Sequence, residues 1–143
     1  MSGRLRCVLD TNVIVAADGR ASVSPKCVRE CVSAVSRLLD DDGHLFLDDL
    51  GLIEREYRRN IDQEGQPGIG VRFMKWLLTN KYNRKRCTVT KLTRSDSSKA
   101  FEEFPDHREL ERFDPSDRVF VAVSASQARR PPIWPAPLKL SQV

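Results

Sequence analysis

The chain has 143 residues, of which 40% are hydrophobic and 31% are charged. This length suits one compact domain, and the composition excludes an intrinsically disordered chain as well as one embedded in a membrane. Lys and Arg number 24 against 20 Asp and Glu, a net charge of +4 that favours polyanionic partners. Asp10 and Asn12 interrupt the first apolar run, so we expect no signal peptide and a cytoplasmic location.

The first half of the chain alternates short β-rich runs with helical patterns. Ser24-Pro25 is a typical helix start, and apolar residues then recur at helical spacing as far as Leu39. A second apolar stripe at positions 50, 53, 57 and 61 predicts another amphipathic helix. The predicted elements are a strand at Arg4–Leu9, a short helix at 11–17 before the Asp18-Gly19 turn, a helix from Pro25 to Leu39, a strand at His44–Leu47 and a helix through Leu50–Ile61.

The second half repeats this alternation. Asp114-Pro115 supplies a helix cap and a first-turn proline before a strongly apolar segment. Strands that alternate with helices predict a parallel sheet covered on both faces. The predicted elements are a loop at 63–70, a helix at Val71–Thr79, a basic stretch at Lys81–Arg86, a strand at Cys87–Leu92, a charged segment at 101–113 and a helix at Val119–Ala125.

The four cysteines are Cys7, Cys27, Cys31 and Cys87, and none forms a CxxC pair. We interpret them as reduced core residues, because free cysteine is among the most buried residue types. A zinc site formed by Cys27, Cys31 and His44 is the less favoured alternative.

Acidic residues at three separated places predict a divalent-metal site. Asp10 ends an apolar run, Glu54 and Glu56 lie on a predicted helix, and Asp114 and Asp117 precede the last one. Hard cations such as Mg²⁺ and Mn²⁺ take oxygen ligands, and ligands of open α/β sheets bind beyond the carboxyl ends of the strands. Residues 118–143 contain no Asp or Glu, so the site must be built from the rest of the chain.

These segments resemble the PIN domain family of metal-dependent nucleases. The resemblance rests on Leu9-Asp10-Thr11-Asn12, Glu54-Arg55-Glu56-Tyr57 and the run from Phe113 to Ala122, and it covers roughly residues 4–125. The chain looks most similar to free-standing prokaryotic members related to the toxins of toxin–antitoxin pairs. The resemblance implies a PIN-like domain of residues 1–128, a three-layer α/β/α sandwich with a mainly parallel central sheet. Residues 129–143 form a proline-rich tail that departs from the family pattern.

The resemblance also implies roles for individual residues. Asp10, Glu56 and Asp117 are the expected catalytic residues and ligands of Mg²⁺ or Mn²⁺, with Thr11 and Asn12 orienting nearby groups. For the middle position a helical wheel places Glu54 nearer the apolar stripe, whereas the resemblance favours Glu56. Asp114 is interpreted as a helix cap.

The expected activity is that of an endoribonuclease that hydrolyses RNA phosphodiester bonds. RNA, a protein antitoxin and a second copy of the chain are the partners that the resemblance implies. Basic residues could steer a phosphate backbone towards the acidic site, although they could equally form solvated surfaces. The candidates are Arg55 and Arg59 beside Glu56, and Lys81, Arg84, Lys85 and Arg86 in the basic stretch.

Two alternatives compete with the nuclease interpretation. The family usually carries a further aspartate near its C-terminus, where this chain has none, so the chain could be a catalytically silent PIN-like module that binds RNA or protein. An aspartate after the first strand is also typical of haloacid dehalogenase phosphatases, whose pattern begins Asp-x-Asp. Asn12 stands in place of the second aspartate, which argues against that mechanism.

Overall fold

The computed structural model describes residues 5–20, 22–40, 43–61, 68–96, 100–105, 114 and 117–128. Helices and short strands alternate along most of this part of the chain. The elements are β1 (Arg6–Cys7), α1 (Thr11–Ala17), α2 (Pro25–Asp40), β2 (His44–Asp48), α3 (Leu52–Asn60), α4 (Ile69–Asn80), β3 (Cys87–Thr90) and α5 (Arg118–Ala128). The predicted tail at 129–143 and most of the predicted charged segment, residues 106–113, lie outside the described residues.

The strands form a small parallel sheet in the order β1-β2-β3. Cys7 pairs with Leu45, and Leu45 pairs in turn with Cys87, so the three strands run side by side in the same direction. The central strand β2 is buried along its whole length. A mixed α/β fold with a parallel sheet is therefore confirmed in the described residues.

The helices pack around this sheet and bury one continuous core. Helix α1 contacts α2, α3 and α4, while α3 and α5 both pack against β2. Tyr57 of α3 lies in the middle of an aromatic group, with its ring centroid 5.1 Å from that of Phe73 in an edge-to-face arrangement and 6.3 Å from that of Phe120. Such aromatic pairs stabilise a core beyond the area they bury.

Local signals explain where α2 begins and where α1 ends. The Ser24 hydroxyl accepts a hydrogen bond of 3.1 Å from the backbone N–H of Cys27, which confirms the predicted start of α2. The predicted turn at Asp18-Gly19 also follows α1, with Gly19 at a φ of 75° that suits glycine.

Two predicted boundaries were clearly wrong. Strand β1 spans only Arg6–Cys7, and α4 begins at Ile69, so Gly70 lies in a helix and not in the predicted loop. A side chain at Gly70 would meet the Asp18 carboxylate at 2.9 Å, so the glycine allows close packing of α4 on α1. Helix α5 begins at Arg118, one residue before the predicted Val119, and the Asp114 carbonyl accepts a bond of 3.0 Å from Asp117 N–H.

The four cysteines are free, and three of them are buried, as predicted for reduced core residues. Burial raises the pKa of Cys7 and of Cys87 to about 12 each, which keeps these thiols protonated and unreactive. Both ring nitrogens of His44 are hydrogen-bonded, one to the carbonyl of Lys85 at 3.1 Å and the other to the Thr88 hydroxyl at 2.6 Å. The zinc alternative therefore lacks its histidine ligand. In the described part of the chain, no helix combines the length and the apolar character that crossing a membrane requires.

Candidate functional site

Asp10 lies where the chain passes from β1 into α1. It is only 6% exposed, and its carboxylate accepts a hydrogen bond of 2.8 Å from the backbone N–H of Asn12 as the N-cap of α1. Burial raises the pKa of the Asp10 carboxyl, and the bond from Asn12 offsets only part of that shift. Asp10 is thus a buried carboxylate in a fixed position at the carboxyl end of a strand.

Tyr57 fixes the backbone immediately before Asp10. Its hydroxyl donates a hydrogen bond of 2.6 Å to the carbonyl of Leu9, and its side chain is completely buried. Burial, followed by the nearby Cys7 and Asp10, raises the pKa of Tyr57 well above its usual value, so the hydroxyl remains a donor. This bond joins α3 to the end of β1.

The two glutamates of α3 have different partners. Glu54 binds Lys81 Nζ at 3.1 Å and Arg58 Nη2 at 2.9 Å, and although burial raises its pKa, these hydrogen bonds lower it overall. Glu56 accepts a bond of 3.0 Å from the side chain of Asn60 and lies 3.6 Å from Arg59. Glu54 is therefore neutralised by two cations on one side of α3, whereas Glu56 belongs to the other side.

Asp117 connects these acidic residues electrostatically. Its pKa is raised first by burial and then by the negative charges of Asp10, Asp114 and Glu56. Like charges disfavour ionisation only when they lie close together. The charges of Asp10 and Glu56 thus act on Asp117 through space, although more than 100 residues separate Asp10 from Asp117, and these three carboxylates are the candidate acidic region.

The same residues do not form a ready ligand set. Within the described residues, no group of three or more His, Cys, Asp or Glu side chains has the spacing needed to hold a metal ion. The Thr11 hydroxyl is buried beside Asp10 and has no hydrogen-bond partner in the described part of the structure. Asn12 is exposed, and its backbone N–H orients Asp10. The donors are hard oxygens of the kind that Mg²⁺ and Mn²⁺ prefer.

Sequence reasoning missed two polar features at this end of the sheet. Asp48 ends β2, and its carboxylate accepts bonds of 3.0 Å from Leu52 N–H and 2.9 Å from Ile53 N–H at the start of α3. Gln127 is buried on α5 and donates a bond of 2.8 Å to the Thr90 hydroxyl at the end of β3. The rule that selected Asp10, an aspartate ending a buried strand, applies equally to Asp48, whereas no sequence pattern marks Gln127.

The predicted nucleic-acid-binding residues fall into three groups: one with a structural role, two that pair with glutamates, and three that are exposed. The guanidinium of Arg86 donates to the carbonyls of Leu38 at 2.8 Å and Gly43 at 2.9 Å and lies over the Trp76 ring, which gives it a structural role at the end of α2. Lys81 and Arg59 pair with glutamates, as described above. The remaining candidates are exposed, namely Arg55 on α3 and Arg84 and Lys85 in the turn after α4.

Comparison with protein-family models, with curated proteins and with solved structures gives no match for this chain.

Proposed function

We propose that this protein is a metal-dependent endoribonuclease with a PIN-like three-layer α/β/α fold. The observation that carries the proposal is the buried Asp10 carboxylate, which is held in a fixed position where β1 passes into α1. The pKa of Asp117, raised first by burial and then by the charges of Asp10, Asp114 and Glu56, supports it. Clustered carboxylates destabilise a fold through mutual repulsion unless a cation compensates them. A shared acidic region at the end of a parallel sheet is therefore more typical of a site than of a structural motif.

The donor set fits Mg²⁺ or Mn²⁺ in its chemistry. Asp10, Glu56 and Asp117 would hold the ion, and the unpartnered Thr11 hydroxyl lies beside the first of them. When bound, such an ion neutralises charge on the scissile phosphate and makes water a better nucleophile. Since the described residues contain no ready three-ligand group, we expect at least one of these carboxylates to move when the ion binds.

The protein's own contribution is to hold Asp10 in place. The Tyr57 hydroxyl anchors the Leu9 carbonyl, and Asn12 N–H fixes the Asp10 carboxylate itself. Glu56, by contrast, is paired with exposed side chains that can rearrange at little cost. We infer that Asp10 is the fixed ligand and Glu56 the adjustable one.

A cleavage assay with end-labelled RNA and Mn²⁺ or Mg²⁺ tests the proposal. Asp10→Asn keeps an oxygen that can cap α1 but removes the charge, so it should abolish cleavage in a folded protein. Glu56→Gln should lower the rate more than about 100-fold, because even residues behind a metal ligand typically contribute 10- to 100-fold. Glu54→Gln is the matched control on the same helix and should retain activity. Cleavage that survives a chelator or Asp10→Asn would refute the proposal.

A catalytically silent PIN-like module remains the second candidate. It is favoured by the lack of a three-ligand group among the described residues and by the acid-free sequence after Asp117. This module would bind RNA with the same affinity in the presence and absence of a chelator and would release no products with 5′-phosphate ends. A protein antitoxin, homodimer formation and a cytoplasmic location stay predictions.

A further inference from the structure

We propose that Tyr82 and the exposed side of α3 bind a single-stranded polynucleotide, with one base stacked on the Tyr82 ring and the phosphates crossing α3 towards the acidic region. The proposal rests on the proposed function, in that the strand bound there is the substrate of the site. It assigns the strand to a particular surface, Tyr82 and α3, that the acidic residues alone do not define.

Tyr82 is the most exposed large hydrophobic side chain among the described residues, at 84%. Its ring lies 5.1 Å from the ammonium group of Lys81, and Arg84 and Lys85 are exposed in the same turn. An exposed aromatic ring on a basic turn is a combination that binds single strands, because bases stack on the ring while the cations hold phosphates. The positive charge of this turn disfavours the binding of an apolar or a basic partner.

The turn that carries Tyr82 is held by a dense set of hydrogen bonds. Asn83 N–H donates to the Asn80 carbonyl at 2.8 Å, and the Asn83 carbonyl accepts from both Arg86 N–H at 2.9 Å and Cys87 N–H at 2.8 Å. The Asn83 side chain accepts a further bond of 3.1 Å from Lys85 N–H. Tyr82 is therefore presented on an ordered turn, which lowers the entropy lost when a base stacks on it.

Helix α3 connects this turn to the acidic region. Lys81 binds Glu54, and on a helix with 3.6 residues per turn Glu56 lies about 200° around the axis from Glu54. Three exposed arginines occupy the arc between the two glutamates, at about 40°, 100° and 140° from Glu54. They are Arg58, Arg55 and Arg59 respectively. A band of basic side chains thus runs from Lys81, beside Tyr82, across the solvent side of α3 to Glu56. Within this band Lys81, Arg58 and Arg59 also pair with Glu54 or Glu56.

The width of this band sets the length of strand that it can hold. A helix with its side chains is about 10–12 Å across, a distance that a few nucleotides cover. Duplexes are disfavoured because paired bases are already stacked and cannot lie on Tyr82. The band therefore distinguishes strands by their flexibility and exposed bases, and it reads no sequence.

Binding is measured by fluorescence anisotropy of labelled oligonucleotides in a chelator, which separates it from cleavage. The probes are a single-stranded RNA, a single-stranded DNA and an RNA duplex of equal length, with poly-glutamate as an acidic competitor. Tyr82→Ala should weaken binding of both single strands roughly 5- to 100-fold, while Tyr82→Phe, which keeps the ring, should bind like the parent protein. Arg55→Gln should reduce the salt dependence by about one phosphate contact. The matched control, Arg29→Gln on the distant helix α2, should leave the salt dependence of binding unchanged.

The result that overturns the proposal is a change of less than twofold for Tyr82→Ala, or equal affinity for the duplex and the single strand. Displacement by poly-glutamate at the charge concentration of RNA also overturns it, since the surface would then recognise charge alone. Tyr82-dependent binding without any cleavage sustains this surface and refutes the proposed nuclease. Cleavage without Tyr82-dependent binding refutes this surface and sustains the proposed nuclease. Tight binding of RNA but not DNA, or of both, identifies which single strand the surface accepts.

Discussion

The hydrogen bond from Tyr57 to Leu9 gives a direct measure of how firmly the structure holds Asp10. Tyr57→Phe removes only the hydroxyl and keeps the ring against Phe73 and Phe120. The Leu9 carbonyl would lose a bond of 2.6 Å in a fully buried position. Leaving a buried acceptor without its partner costs about 1–3 kcal/mol, so we expect the free energy of unfolding to fall by about 2 kcal/mol.

Urea denaturation followed by circular dichroism tests this value. At a slope of about 2 kcal/mol per molar urea, the midpoint should fall by roughly 1 M with an unchanged slope. The control is Tyr82→Phe, which removes the same hydroxyl from an 84% exposed side chain and should change stability by less than about 0.5 kcal/mol. Equal effects of the two substitutions would show that the buried bond contributes nothing, and the argument that Tyr57 anchors Asp10 would fail.

Three further predictions concern the core and the end of α2. Arg86→Lys should lower the free energy of unfolding by about 2 kcal/mol in the same urea assay, because an ammonium group cannot replace a guanidinium that donates to several carbonyls and stacks on Trp76. Gly43→Ala should lower it by about 2–3 kcal/mol, since the new Cβ would lie 2.6 Å from the Leu38 backbone and neither can move freely, and differential scanning calorimetry should show the lower midpoint. The pKa of Cys7 is raised from 9.0 to about 12 in the folded state, so its contribution to stability is complete below pH 9 and is lost as the pH rises towards 12. Between pH 8 and 11 the urea midpoint should therefore fall less steeply with pH for Cys7→Ala than for the parent protein. An equally steep fall of the midpoint in both proteins would contradict the assignment of Cys7 as a buried thiol.

The sequence predicts the elements of the fold well where a local signal and a hydrophobic period agree. Helix α2 has both, a Ser24 cap and an apolar stripe, and β2 is a short apolar run bounded by turn residues. The start of α5 was predicted at Val119 and lies at Arg118, since the apolar segment there is strongly marked. Gly70 was assigned to a loop because glycine disfavours helices, whereas it lies in α4 in close contact with the Asp18 side chain.

The site was less predictable because its members are joined by tertiary contacts. The pattern selected Asp10 and Asp117 individually, but their mutual repulsion exists only in the folded chain. Glu54 likewise pairs with Lys81, which directly follows α4, and no helical wheel of α3 can reveal that partner. The helical wheel of α3 placed Glu54 nearer the apolar stripe than Glu56. The distance of a residue from that stripe does not indicate which cation of another element will pair with it.

Asp10 has two roles that can be separated. As an N-cap it contributes about 1 kcal/mol to the fold through an uncharged function, the acceptance of a backbone N–H, which serine or asparagine could perform equally well. Burying an ionised carboxylate for that purpose alone is unfavourable, and the raised pKa of Asp10 records that cost. The cap does not require the charge, and after burial the charges of Asp10, Asp114 and Glu56 raise the pKa of Asp117, so the charge on Asp10 needs another explanation. The proposed cation would supply one, because it would turn the repulsion that Asp10 and Glu56 exert on Asp117 into attraction for a common partner.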